Sequence, residues 1–418
     1  MVVPVVDVLQ SQEEVPPPLP PPPGGRFRDN PREWAKANLF SSVTSTLLTI
    51  VFAVVLAYIF VRTARYVFVT GRWDIVRSGL TSLMVGLNYP RDDAALARPW
   101  IAGYLGAVVG GLATGVSKRR RDAAWPTVLR PWVPIALAGT VVAGLTETSL
   151  PKLLALGVVA SFAVAALVGT RLPERVARRL WVFYVSMLIV IALILTGARV
   201  GVWDEWGGLL LALYVAVLGI VVSFPLGLMF ALGRRSKMPV ARLLSTIWIE
   251  LIRGVPLITL LFAGDLALRF FIPPGSDPPG RVMRAAIMVI LFSSAYIAEI
   301  IRGGLQAVPS GQLEAARALA LGRFTTLRRV VLPQALRAVI PALVGQFISL
   351  FKDTSLLTII GLLELIGVAE TVASGGDFRN QGLLPEILAF VGLLFWVCCY
   401  SMSKASQRLE TRMGVGVR

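Results

Sequence analysis

The sequence predicts an all-α, polytopic membrane protein. Of its residues 56% are hydrophobic and only 16% are charged. Several apolar runs are long enough to cross ~30 Å of hydrocarbon as helices. Between two of those runs lies a polar, arginine-rich interruption, Gln312 to Pro333. Its basic side chains are expected on the side of the bilayer where Lys and Arg are retained.

The composition excludes several functions. Histidine is absent and no Gly-x-x-x-x-Gly-Lys-Ser/Thr run occurs, so neither histidine chemistry nor a phosphate-cradling loop is available. No catalytic residue, metal or cofactor is expected on this chain. Cys398 and Cys399 are adjacent within an apolar run, as small core residues rather than as a disulfide. The formal charge of +17 is assigned to cytoplasmic retention of basic segments rather than to nucleic acid.

In chain order, residues 1–45 hold a Pro-rich stretch, Pro16 to Gly25, read as a cytoplasmic, largely disordered leader. Residues 46–200 carry candidate spans at Ser45–Val61, Trp100–Val116, Pro131–Gly144, Leu150–Gly169 and Leu180–Gly197. Residues 201–418 carry five more: Gly207–Gly233, Ser245–Phe271, Arg281–Ile301, Ala338 to about Glu370, and Leu384–Ser403. About ten crossings place both termini on one side, and the basic residues name that side as cytoplasmic. The groups at Lys118–Arg121, Arg171–Arg179, Arg234–Arg242 and Arg302–Arg337 then all face inward. The exception is Arg62 to Arg98, a longer outer loop with six arginines.

Within the interruption, Gln312–Leu321 is built of strong helix formers, with Ser310 as N-cap and Glu314 in the first turn. Gly322 offers a stop. A second short helix should follow, with Phe324, Leu327 and Val331 on one face, ending before Pro333. Two amphipathic helices with a bend between them make a docking surface.

Glu314, Ala315, Ala316, Leu332 and Pro333 match, in identity and spacing, the pattern of the EAA loop of ABC-importer permeases, which this stretch resembles. Ala320 stands where that family usually has glycine, and Gly322 is offered as the substitute bend. Glu250 to Pro256, Glu299 to Gln312, and Leu350 to Leu356 are similar, in the same order, to the permease domain of polar and general L-amino acid importers. Residues 46–200, with Phe40 to Ser42, look like the extended N-terminal half of the general L-amino acid members. The resemblance implies a type I ABC importer permease fold in the C-terminal half. It also implies a separate ATPase dimer carrying ATP-Mg, docked on the Glu314 loop. A second, paralogous permease, an extracytoplasmic amino-acid-binding protein and a bacterial inner membrane complete the expectation.

Two polar features inside apolar runs stand as pathway candidates. Arg253, Gly254 and Pro256 interrupt a span, as a gate or hinge or as a tolerated kink. Lys352, Asp353, Thr354 and Ser355 lie in the run from Ala338 to Ile366, where an unpaired ionisable group costs ~2.5–3.5 kcal/mol on insertion scales. Either the two charges pair with each other or a neighbour, or the patch borders a translocation path. In both cases Lys352 and Asp353 are expected to be buried in protein rather than exposed to lipid. Glu299 and Glu364 are weaker candidates of the same kind. On the residues alone, an ion-coupled secondary transporter or a non-transporting scaffold remain the rival functions.

Overall fold

A computed structural model describes residues 30–412 apart from 123, 131, 146–148, 178, 180–182, 184–185, 188–189, 192–193, 195–201, 272, 274 and 276–277. The proline-rich leader and most of the predicted span Leu180–Gly197 lie outside the described residues. Among those residues no strand occurs; the one pairing of strand type is an isolated parallel bridge between Gly208 and Glu364. Among the described residues seven helices are long and apolar enough to cross a membrane, or eight if one bent pair counts as a span.

Residues 30–71 form one compact unit. In it α1 (Pro31–Asn38) is capped by Asn30, and α2 (Val43–Arg65) by the Ser42 hydroxyl, which accepts from the Ser45 amide at 3.1 Å. A π-type turn, Tyr66–Thr70, ends this unit.

The second unit begins at Arg72. Its first element, α3 (Asp74–Val85), overturns the expectation of a plain outer loop between Arg62 and Arg98. Ile75, Val76, Leu80 and Leu83 are buried and pack against Leu365, Val368, Ile387 and Phe390 from the far end of the chain. Two of the six arginines that strained the charge rule in this region have partners. Arg72 bonds Asp74 and Gln381, and Arg91 bonds the Ser82 hydroxyl and the Gly86 carbonyl. The hydrogen bond from Arg72 holds the Asp74 carboxyl below its ordinary pKa.

After α3 come α4 (Asp93–Arg121), α5 (Trp125–Leu129), α6 (Val133–Leu145) and α7 (Ser149–Arg171). α4 and α7 lie backbone to backbone because Gly111 and Gly115 sit one turn apart against Phe162, Ala166 and Gly169, where any Cβ would overlap main chain. Such spacing of small residues is how helices associate where lipid removes the hydrophobic drive. Within the described residues α6 runs for 13 residues.

The remaining elements are α8 (Gly208–Arg234), α9 (Pro239–Gly254), α10 (Leu257–Leu266), α11 (Arg281–Gln306), α12 (Ser310–Ala318), α13 (Arg323–Thr326), α14 (Leu332–Asp353), α15 (Leu365–Ser374) and α16 (Leu384–Arg412). α11 is the central helix, with 61% of its apolar window buried. It packs on α8, with Ile297 filling the notch at Gly227. α3 joins this core where Gly86, Gly207 and Gly208 meet: the Gly207 amide bonds the Val85 carbonyl at 3.0 Å, and the Gly208 amide bonds the Leu363 carbonyl at 2.9 Å.

Gly86 has φ +104°, and a Cβ there would overlap the Gly207 backbone. Gly86→Ala should therefore cost roughly 2–5 kcal/mol from strain and overpacking together. A fall in melting temperature and folded yield in detergent would show it. Gly106→Ala, where a Cβ meets nothing within 4 Å, should behave as wild type.

Candidate functional site

The Gln312–Pro333 interruption folds as two helical pieces, but its joint differs from the sequence reading. α12 spans Ser310–Ala318, with Pro309 rather than Ser310 at the N-cap. Its end is a Schellman motif: the Leu321 amide bonds the Ala316 carbonyl at 3.0 Å and the Ala320 amide bonds the Arg317 carbonyl at 2.9 Å. That motif puts the intervening residue in the left-handed region, and Ala320 has φ +52°. Gly322 is not the bend; at φ −62°, ψ 154° it is the N-cap of α13. Pro333 is not a stop either. A π-type turn at Leu327–Val331 carries α13 into α14, and Pro333 occupies that helix's first turn, where no amide donor is needed. The result is a helical run of 38 residues from Arg323 to Ile360.

Ala316 and Val331 are buried, and Leu313 and Leu327 pack with them against Leu305 and Val308 at the end of α11. The other face is open. Leu319 and Phe324 are 73% and 72% exposed. Glu314, Ala315, Gly322, Arg323, Arg328, Arg329 and Pro333 are exposed as well, and Leu332 is half-buried. None of the charged residues from Glu314 to Arg329 forms an ion pair within the described residues.

Beside this surface the second core span is broken rather than kinked: α9 and α10 meet at 104°. Val255 and Pro256 are extended, and Gly254 faces open space. Arg253 stacks on the Tyr296 ring with its guanidinium 5.6 Å from the centroid and lies 3.9 Å from Glu299. Glu299 also pairs with Arg302 one turn on and with Arg234 of α8 at 3.3 Å, while Arg234 reaches Glu250 at 2.7 Å. Three helices are thereby tied by alternating charge where α8 and α9 adjoin the loop end of α11.

Residues 223–415 match the family of binding-protein-dependent transport system inner membrane components. The inner membrane amino-acid ABC transporter permease YhdY of Escherichia coli is 50% identical over 51% of the chain, which spans 57% of that protein's length. The glutamate/glutamine/aspartate/asparagine transport permease BztC of Rhodobacter capsulatus is 38% identical over 82% of the chain and 78% of its own. The chain belongs to the amino-acid ABC transporter permease family. A probable glutamine permease of Bacillus subtilis, GlnP, is 39% identical over half of the chain and 92% of its own. This permease is thus a multi-pass inner-membrane protein, with the Glu314–Pro333 loop inside the family-matched region.

The pathway candidates of the permease separate in space. Lys352 is exposed and Asp353 half-buried at the end of α14, and they make no ion pair with each other, so mutual pairing is not what offsets their charge. The expectation that both are buried fails for Lys352, which projects from the helix end. Thr354 is buried and its hydroxyl donates to the Phe351 carbonyl at 2.7 Å; Ser355 is half-buried. Glu364 is fully buried as the N-cap of α15, accepting from the Thr358 hydroxyl and the Ile366 and Gly367 amides. Sequence reasoning missed the roles of Arg234 and Glu250, and of Asp265, Arg281 and Arg284 at the other end of α11. Only the three-residue spacing of Glu299 and Arg302 signals any of this locally.

Because the Schellman joint requires φ > 0 at Ala320, glycine should fit it better. Ala320→Gly is expected to stabilise the end of α12 by about 1 kcal/mol and Ala320→Val to destabilise it. Amide exchange at Leu321 should slow in the first variant and quicken in the second.

Proposed function

We propose that this permease is one half of an ATP-driven amino-acid importer, working by alternating access and coupled to a separate ATPase through the Glu314–Pro333 loop. The observation that carries the coupling is the loop's open face. Its charges are unpaired within the described residues, and Leu319 and Phe324 stand exposed. Two large apolar side chains ringed by charge make a fitting protein-docking patch. The two ATPase subunits would hold ATP-Mg, and this chain would hold no cofactor of its own. A second, paralogous permease would complete the pathway, and an extracytoplasmic binding protein would deliver substrate. Glutamate, glutamine, aspartate and asparagine, named for the Rhodobacter relative, are the first substrates to assay.

The motion we infer runs through a continuous element. α13 is joined helically to α14, so a displacement of the docked loop would be carried along that helix to Lys352–Ser355. The break at Arg253–Pro256 lets α9 and α10 move separately, with Arg253, Gly254 and Pro256 as the joint.

Glu314→Lys tests the coupling. In the structure Glu314 is exposed in the middle of α12, past the first turn where the sequence reading placed it, so little dipole energy is at stake and the fold should survive. An ATPase cleft complementary to the native loop would meet the wrong charge, at a cost of several kcal/mol. We expect normal insertion with lost ATPase co-purification or lost substrate-stimulated hydrolysis. Wild-type uptake and ATPase binding in this variant would sink the assignment.

The orientation is tested separately. In a Cys398→Ser/Cys399→Ser background, Gly322→Cys should react with an impermeant thiol reagent only in inverted vesicles, and Arg379→Cys only in intact spheroplasts. The reverse pattern would place the termini outside.

A further inference from the structure

α4 and α7 run parallel and in near-constant register. The Tyr104 hydroxyl donates to the Leu154 carbonyl at 3.0 Å, Gly111 abuts Phe162, and Gly115 abuts Gly169 one turn further on. Both helices therefore finish together, α4 at Arg121 and α7 at Arg171, and their basic ends are brought to one place. Arg119 crosses to bond the Leu172 carbonyl and, at 2.7 Å, one oxygen of Glu174, while Arg120 takes the other oxygen at 2.6 Å. Lys118 stands over the Trp125 ring of α5, 5.2 Å from its centroid. Arg171, Arg175 and Arg179 are exposed and make no ion pair among the described residues. Among the described side chains of these two ends, six cations thus face two carboxylates, Glu174 and the exposed Asp122.

Retention of basic residues on one side of a bilayer accounts for their presence in each connecting segment, but charges spread anywhere along those segments would meet it. It does not account for the Gly115–Gly169 contact gathering them from two segments onto one spot. Like charges held together repel one another, and a nearby anion offsets that repulsion. The depth of the patch says which anion. α4 and α7 are each long and apolar enough to span a bilayer over most of their length, and a tryptophan at the end of such a helix sits at the level of the lipid headgroups. Trp125, held under Lys118, marks that level one residue from Arg119. The anion abundant at that depth is the phosphate of a phospholipid.

We propose that the joined ends of α4 and α7 bind the headgroup phosphate of an anionic phospholipid, with Lys118, Arg171 and Arg175 as its ligands and with Arg119 and Arg120 tied back by Glu174. Basic sites between membrane helices suit such headgroups, because charge and depth are both matched. A zwitterionic lipid brings its own ammonium and gains less. The site precedes the family-matched residues 223–415, so it stands whether or not the coupling loop docks an ATPase.

The test uses the full-length chain in dodecyl maltoside, in the Cys398→Ser/Cys399→Ser background, with a bimane on Ala124→Cys beside Trp125. It reads quenching by brominated phosphatidylglycerol or brominated phosphatidylcholine added to the micelles. Phosphatidylglycerol should quench at a concentration about tenfold lower or less, and high NaCl should narrow that gap. Arg171→Gln/Arg175→Gln should weaken the phosphatidylglycerol effect roughly 25-fold, about fivefold for each basic residue lost, whereas Arg171→Lys/Arg175→Lys should stay within about threefold of wild type. Lys118→Gln alone should weaken it about fivefold, and carries the test if the double glutamine variant does not fold. Equal quenching by the two lipids would overturn the site, as would wild-type quenching in the glutamine variants. So would an equal loss in Arg77→Gln/Arg379→Gln, which removes two exposed arginines elsewhere. Loss of the preference in millimolar inorganic phosphate, but not in chloride of equal ionic strength, would overturn it in favour of a soluble phosphate. Loss of ATPase co-purification in Arg171→Gln/Arg175→Gln with lipid quenching unchanged would overturn it in favour of a protein seat.

Discussion

The close packing of α11 against α8 is the contact on which the rest of this permease depends. In a bilayer lipid tails solvate apolar helices as well as other helices do, so association has to come from tight fit rather than from escape from water. α8 supplies the fit with Gly227, where a Cβ would overlap Ile297 of α11, and with Gly219, where a Cβ would sit tightly against Val289 of α11 and Leu350 of α14. α11 supplies small residues, among them Ser293, Ser294, Ala295 and Ala298, all buried. With the middle of α11 sealed in this way, its charged groups sit toward its two ends. Glu299 and Arg302 meet Arg234 and Arg253 at one end, and Arg281 and Arg284 meet Asp265 at the other.

The loop after α11 inherits its position from the same packing. Val308 and Leu305 receive Leu313, Leu327 and Val331, so the loop folds back on the end of the core with one face committed. Its other face has no role in the fold. The price of the sharp turn between α12 and α13 is a left-handed alanine, Ala320. The two hydrogen bonds across the turn dictate that backbone, which is the physical reason a glycine suits the same position in the EAA pattern.

Both broken elements of the core obey a single rule: main-chain groups freed from helical bonding must find partners inside the protein. Around Gly207 and Gly208 the freed groups bond Val85 and Leu363, drawing α3 and the start of α15 together. At Glu364 a buried carboxylate accepts two amides that open α15. These bonds bind the region before α4 to the family-matched half, although the whole stretch from α4 through α7 separates α3 from α8 in the chain.

The class, most of the spans and the place of the polar Glu314–Pro333 loop were legible in the sequence, because these depend on properties carried by contiguous residues. Apolar length marks a crossing, Arg and Lys mark its flanks, and Glu314, Ala315, Ala316, Leu332 and Pro333 mark the loop. The tertiary structure alone decided where α3 goes, since Ile75, Leu80 and Leu83 fall in what the sequence reads as an outer loop until Leu365 and Ile387 are brought beside them. It alone moved the bend from Gly322 to Ala320, because hydrogen bonds to Ala316 and Arg317, not residue type, set that φ. It alone parted Lys352 from Asp353 and joined Arg281 and Arg284 through Asp265. Adjacent residues on a helix point in different directions, whereas charges sixteen or nineteen positions apart meet only once their helices pack.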